Sequence, residues 1–146
     1  MATTSFPVGT RTSLLTIGTL ASATYLASSA YNAGTNSPWD VAIEVEVTPG
    51  TVSGGKQVVV FAQGSLDGTN FTTGPTSGTT TTDEPNLRFL GMVPCNSNST
   101  QQRKLFSIHE AFGFVPKQFK IIIKNDTGAA LASGTVYTAE ITGQST

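Results

Sequence analysis

Charge is scarce in this chain. Its 146 residues include only 8 Lys and Arg and 9 Asp and Glu, which nearly cancel to a formal net charge of −1. Proteins that hold nucleic acid through its phosphates present a basic patch or stripe, whereas here the cations are scattered and only Arg103 and Lys104 are adjacent. Neither a nucleic acid nor an anionic membrane surface is therefore an expected partner. Thr, Ser, Gly and Asn take the surface positions that charged residues usually fill, so solubility rests on hydroxyls and amides.

Reactive side chains are equally sparse. One cysteine, Cys95, rules out an intrachain disulfide or a CxxC knuckle and predicts a small buried hydrophobe. The one histidine, His109, precedes Glu110 but has no second His at metalloprotease spacing, and a single imidazole cannot hold zinc. A Cys95–His109 dyad lacks both a nucleophile motif and an orienting group. Asp83 and Glu84 are neighbours in a Thr-rich loop, which does not fix the carboxylate separation that glycoside chemistry needs. Asp67 with Asn70, and Asn125 with Asp126, place oxygens in turns without the spaced acidic pattern of a calcium loop. The expectation is no catalytic residue, no metal site and no cofactor.

Long apolar runs are missing too. The stretch 11–30 (RTSLLTIGTLASATYLASSA) sets a basic residue before apolar ones, but Thr16, Gly18, Thr19, Ser22 and Thr24 interrupt it. It reads as neither a signal peptide nor a membrane span, which needs about 18 apolar residues. The sequons at Asn70, Asn98 and Asn125 carry little weight without a secretion signal.

What the chain does have is period-two alternation. Val41, Ile43, Val45 and Val47 alternate with Ala42, Glu44 and Glu46, which predicts a half-buried strand over 39–47. Breakers at Thr48, Pro49, Gly50, Gly54 and Gly55 precede a second strand, 57–64 (QVVVFAQG), whose continuous apolar run predicts cover on both faces. SLDGTNF at 65–71 is a tight-turn signal, with Asp67 bonding the backbone and Gly68 taking positive φ. Further strands are predicted at 87–93, 103–107, 118–124 and 134–142, and weaker ones at 13–17 and 24–28. Residues 72–86 form a long surface loop, and 108–114 one helical turn closed by Gly113. About eight short strands with turns between them predict an all-β protein, a single β-sandwich or jelly-roll domain.

Residues 1–29 read as an extended N-terminal arm with weak strands, and 30–146 as the sandwich domain. Single Trp39, at a strand start, is expected in the core because of the area it can bury.

A succession of short motifs runs from Thr24 to Thr142: TYLASSAYNAGTN before DVAIEVEV, then KQVVVFAQGSLDGTNF, NLRFLGMVP, FSIHEAFGFVP and KNDTGAAL. In order and spacing they resemble a family of small virion proteins from tailed bacteriophages. The resemblance implies a structural protein of the particle, with a β-sandwich fold and no enzymatic activity.

Small size, β-richness and near neutrality favour a capsid decoration, or cement, role, since close-packed copies repel one another less when each is nearly uncharged. The expected partners are the major capsid protein and other copies of the chain, as a homo-oligomer on the particle, with neither nucleic acid nor membrane. The expected location is the virion, assembled in the host cytoplasm. The contact residues anticipated are Phe6, Arg11, Leu14, Leu15, Ile17, Tyr25 and Tyr31, because buried apolar side chains carry most interface energy. The alternative is a tail or neck component, including a host-recognition module that stacks glycans on Trp39, Tyr25 or Tyr31.

Overall fold

The computed structural model of the protein describes residues 1–52 and 56–145; Gly54 and Gly55, two of the predicted breakers, lie outside the described residues. In chain order the strands are β1 (Thr4–Ser5), β2 (Thr12–Thr16), β3 (Tyr25–Ala27), β4 (Tyr31–Asn32), β5 (Asp40–Pro49), β6 (Gln57–Ser65), β7 (Ser77–Gly78), β8 (Arg88–Pro94), β9 (Gln102–Ser107), β10 (Gln118–Asp126), β11 (Leu131–Ile141) and β12 (Gln144–Ser145). One helix, α1 (Ile108–Phe112), and a 3-10 turn at Glu84–Asn86 complete the described structure.

The strands form two antiparallel sheets, one in the order β2-β11-β5-β9 and the other β7-β3-β10-β6-β8, with β4 alongside β3 on the same edge of β10. A small ribbon of β1 and β12 stands apart. The protein is thus an all-β sandwich. Every connection between the eight strands predicted from sequence crosses from one sheet to the other, except β6 to β8. Numbering those eight from one to eight, the sheets read 1-8-3-6 and 2-7-4-5.

The alternation read from sequence builds the interior. Val41, Ile43, Val45 and Val47 of β5 are fully buried and meet Val58, Val60 and Ala62 of β6 and Phe119, Ile121 and Ile123 of β10 from the other sheet. Each such side chain contributes about 1.5–3 kcal/mol relative to exposure. The outward faces of the two sheets differ. On β5 the outward Glu44 and Glu46 stay partly wet. On β6 and β10 the outward Val59, Phe61 and Ile122 are buried in a second cluster with Tyr25 and Leu87.

What covers that second cluster is the Thr-rich segment. After the Asp67 turn, Phe71 makes only one bridge, to Ser65, instead of opening a strand. The chain then crosses the sheet face: Gln63 donates to the Thr72 carbonyl (2.9 Å), Asn86 donates to the Thr73 hydroxyl (2.8 Å), and β7 pairs with β3. Gly74 sits at φ +151°, and a Cβ there would lie 2.4 Å from Leu87 Cδ2. The loop is therefore packed down by Leu87, with glycine where the backbone approaches it. Glu84 fastens it further, accepting from the Tyr25 hydroxyl and from Lys124 Nζ (2.8 Å).

The weak N-terminal strands belong to the sandwich: β2 edges one sheet beside β11, and β3 lies in the other. Residues 1–11, by contrast, are exposed throughout. Helix α1 is the predicted single turn. Ser107 accepts from the Glu110 N–H (3.0 Å), buried Asp40 accepts from the Ser107 hydroxyl (2.5 Å) and the His109 N–H (2.8 Å), and the turn ends at Gly113. These acceptors satisfy the free N–H groups of the first turn.

Candidate contact surface at the N-terminal edge

The segment ahead of β2 extends the sheet edge. Val8 bridges Ile141, the Gly9 N–H donates to the Glu140 carbonyl (2.8 Å), and Thr4 and Ser5 pair with β12. A short ladder and two side chains hold it. Phe6, 52% exposed, tilts against Trp39 with ring centroids 5.5 Å apart. Arg11 lays its guanidinium 3.3 Å from the Tyr137 ring centroid and pairs with Glu44 (2.5 Å).

Arg11 belongs to a cluster of four charges. Its guanidinium also lies 3.6 Å from Glu46, while Arg103 reaches Glu46 at 2.5 Å and Glu44 at 3.5 Å. The hydrogen bond that Arg11 donates to Glu44 raises the Arg11 pKa, keeping the guanidinium charged. Solvent screening leaves such exposed pairs little stabilising weight. They fix register more than they hold the segment.

Trp39 departs from expectation. It is 54% exposed and stacks on His109, with centroids 5.0 Å apart and planes 16° apart. Position 39 lies one residue beyond the last register pair of β5 and β11, Asp40 with Ile141. There the strand's alternation no longer dictates an inward side chain. Phe6, Trp39 and His109 form a row of rings at this end of the sandwich.

The anticipated contact residues differ in exposure. Phe6 and Arg11 are exposed; Leu14 and Leu15 are half-buried against the main core. Ile17 (4% exposed) and Tyr25 (2%) face the interior, so their side chains serve the fold and offer no outward surface. Tyr31 is intermediate: its ring stacks on Phe119 and its hydroxyl donates to Glu140 (2.6 Å). Burial, then Glu140, raises its pKa. Asn36 donates to the same carboxylate (2.9 Å), and the three residues line a cleft of about 350 Å³ with Gly9, Thr10 and Thr12.

The titratable groups weighed for chemistry lie apart. Cys95 is fully buried, which raises its pKa, while His109 is on the surface against Trp39. The Asp67 carboxylate accepts from the Thr69 and Asn70 N–H groups, the Asn70 amide and the Ser65 hydroxyl, and these bonds depress its pKa strongly. Gly68 follows at φ +86°, as the turn requires. Asn125 is fully buried, donating to the Leu20 and Ala129 carbonyls and accepting from Thr127. Among the described residues, no three His, Cys, Asp or Glu side chains gather as a metal site. No helix there is long and apolar enough to cross a membrane.

Sequence reasoning missed the exposure of Phe89, Met92 and Leu105. Alternation assigns a face to each strand residue, but not whether another layer lies on that face. Compared with known proteins, the chain matches no family model, and no curated protein matches it in sequence.

Proposed function

We propose that the chain is a virion structural protein of a tailed bacteriophage, a decoration protein that stabilises the head by bridging capsid subunits. Its work on this reading is contact, not turnover. The observation that carries the reading is the N-terminal edge: eleven consecutive exposed residues, strand-like in part, carry outward apolar side chains at Phe6 and Val8. An exposed edge with apolar side chains is a template for pairing with another chain. The resemblance of the motifs between Thr24 and Thr142 supports the phage assignment. The strand orders 1-8-3-6 and 2-7-4-5 support the finer reading of the sandwich as a jelly roll.

The partners on this reading are the major capsid protein and further copies of the chain, on a symmetric particle. Deleting residues 1–10 tests it. The shortened protein should keep its fold, because the sandwich begins at β2, yet lose occupancy on capsids stripped of the native protein. Undiminished occupancy would refute the role given to this edge.

A second reading, a tail or neck module that binds glycans, draws support from the exposed Trp39 ring. Aromatic faces are the usual platform for sugars, and the Asn36–Glu140–Tyr31 cleft supplies polar partners in the neighbouring region. Glycan-array binding that is lost in Trp39→Ala, together with labelling at the tail, would favour this reading over decoration.

A further inference from the structure

The side of the sandwich formed by β8 and β9 is built differently from the N-terminal edge. Each of these strands is the last of its sheet, so among the described residues one backbone edge of each has no neighbouring strand. Between them runs a cleft of about 610 Å³, whose lining includes Arg88, Phe89, Lys104, Leu105, Phe106 and Glu110. A second cleft of about 530 Å³ shares Phe89 and Lys104 and reaches Met92. Phe89 is 52% exposed, Leu105 67% and Met92 43%; Phe89 and Leu105 line the first cleft, and Phe89 and Met92 the second. Contiguous exposed apolar surface marks an interaction site more often than isolated residues do.

The charges are what define the occupant. Arg11, Arg103 and Lys124 are paired with carboxylates. Arg88 and Lys104 enter no ion pair among the described residues. Lys104 donates to the Met92 carbonyl (3.0 Å), capping one acceptor at the β8 edge, and Arg88 lies 5.8 Å from the Phe112 ring. The one carboxylate on the lining, Glu110, pairs with neither. A groove of mixed lining, with exposed Phe89 and Leu105 beside strand edges and two cations without carboxylate partners, suits an extended peptide that alternates apolar and acidic side chains.

A second copy is a poor source of that peptide. Of its nine carboxylates, Asp40, Glu44, Glu46, Asp67, Glu84 and Glu140 are engaged within their own subunit and Asp126 lies 3.9 Å from Lys124, while Asp83 and Glu110 sit at the 3-10 turn and in α1 and not on an extended strand. We propose that the β8–β9 groove docks an extended, carboxylate-bearing segment of a different protein, with its apolar side chains against Phe89 and Leu105 and its carboxylates at Arg88 and Lys104. This site is independent of the N-terminal edge and of the capsid reading.

The test uses the full-length protein and synthetic ten-residue peptides in which Val, Ile or Phe alternates with Glu, matched with series carrying Gln or Lys in place of Glu. Glu peptides should bind at least about tenfold more tightly than their Gln counterparts, the factor that one modest charge-assisted contact supplies. Amide shifts on binding should map to 88–94 and 102–107. The double variant R88E/K104E should reverse the preference toward Lys peptides. Leu105→Ser, at the most exposed apolar position of the groove, should weaken all series alike. Equal binding by the three series, no binding by any, or shifts confined to the N-terminal edge would each overturn the proposal. Particle occupancy is a separate readout, so the groove and the capsid reading can fail independently.

Discussion

Substituting Gly74 by alanine should expose how firmly the Thr-rich loop is packed. The added Cβ would lie 2.4 Å from Leu87 Cδ2 and 2.7 Å from its Cγ, at a backbone φ of +151°. Carbon atoms prefer a separation of about 3.5–4.0 Å, so the loop and Leu87 must part by about 1 Å. Overpacking of this kind costs about 1–3 kcal/mol, and holding alanine in a sparsely populated backbone region costs about 1–3 kcal/mol more. The expected loss is about 2–6 kcal/mol if the loop stays seated. If it lifts instead, the cost is capped at the energy of exposing Leu87, Tyr25 and their neighbours.

Two assays separate these outcomes. Urea denaturation reads global stability, and limited proteolysis at 79–82 reads lifting of the loop. The decisive comparison is a double-mutant cycle with Leu87→Ala. Removing the leucine relieves the clash, so Gly74→Ala should cost less in that background by about the 1–3 kcal/mol of overpacking. Strictly additive costs would refute the claim that Gly74 and Leu87 pack on each other.

Acid should loosen the same loop through Glu84. Burial pushes that carboxyl up, but hydrogen bonds from Lys124 and Tyr25 outweigh it and leave the pKa below its ordinary value of 4.5. The latch is therefore fully present above that value and lost as pH falls through the depressed folded one; Glu84→Gln should flatten this acid limb in proteolysis measured against pH. Replacing Asn125 by Ala leaves the Thr127 N–H without its acceptor and takes one of two donors from the Leu20 and Ala129 carbonyls, which keep the Leu131 N–H and the Thr127 hydroxyl, and should cost about 1–3 kcal/mol at the urea midpoint. A negligible change would show that water takes over those bonds. The Cys95 thiol should react with a disulfide reagent only as fast as the protein unfolds, since burial both shields it and raises its pKa; rapid labelling of the native protein would contradict its place in the core.

Much of the architecture was legible in the residues, for identifiable reasons. The eight predicted strands all occur, because Val41, Ile43, Val45 and Val47 carry a period that a strand buried on one face satisfies. The Asp67–Gly68 turn and the single turn of α1 were equally readable, since their side chains bond locally. Long-range placement was less so. The short pairings of β1, β4, β7 and β12 depend on which segments the fold brings alongside, and two-residue strands carry no period to read. Tyr25 and Tyr31 look alike as aromatic residues in a Ser- and Ala-rich stretch. One is roofed by the loop carrying Glu84, and the other reaches Glu140 from the far end of the chain. Trp39 illustrates the reverse error, where size suggested the core and position past the end of the register left it exposed.

Whether the chain sits on a phage particle as proposed, and which of its residues lose exposure there, is the measurement that bears most directly on a contact role. A reconstruction of the phage should show copies distributed over the head lattice, with residues 1–11 seated against a neighbouring subunit. Copies confined to the tail or neck, or a head position with Phe6 and Val8 turned to solvent, would contradict the account.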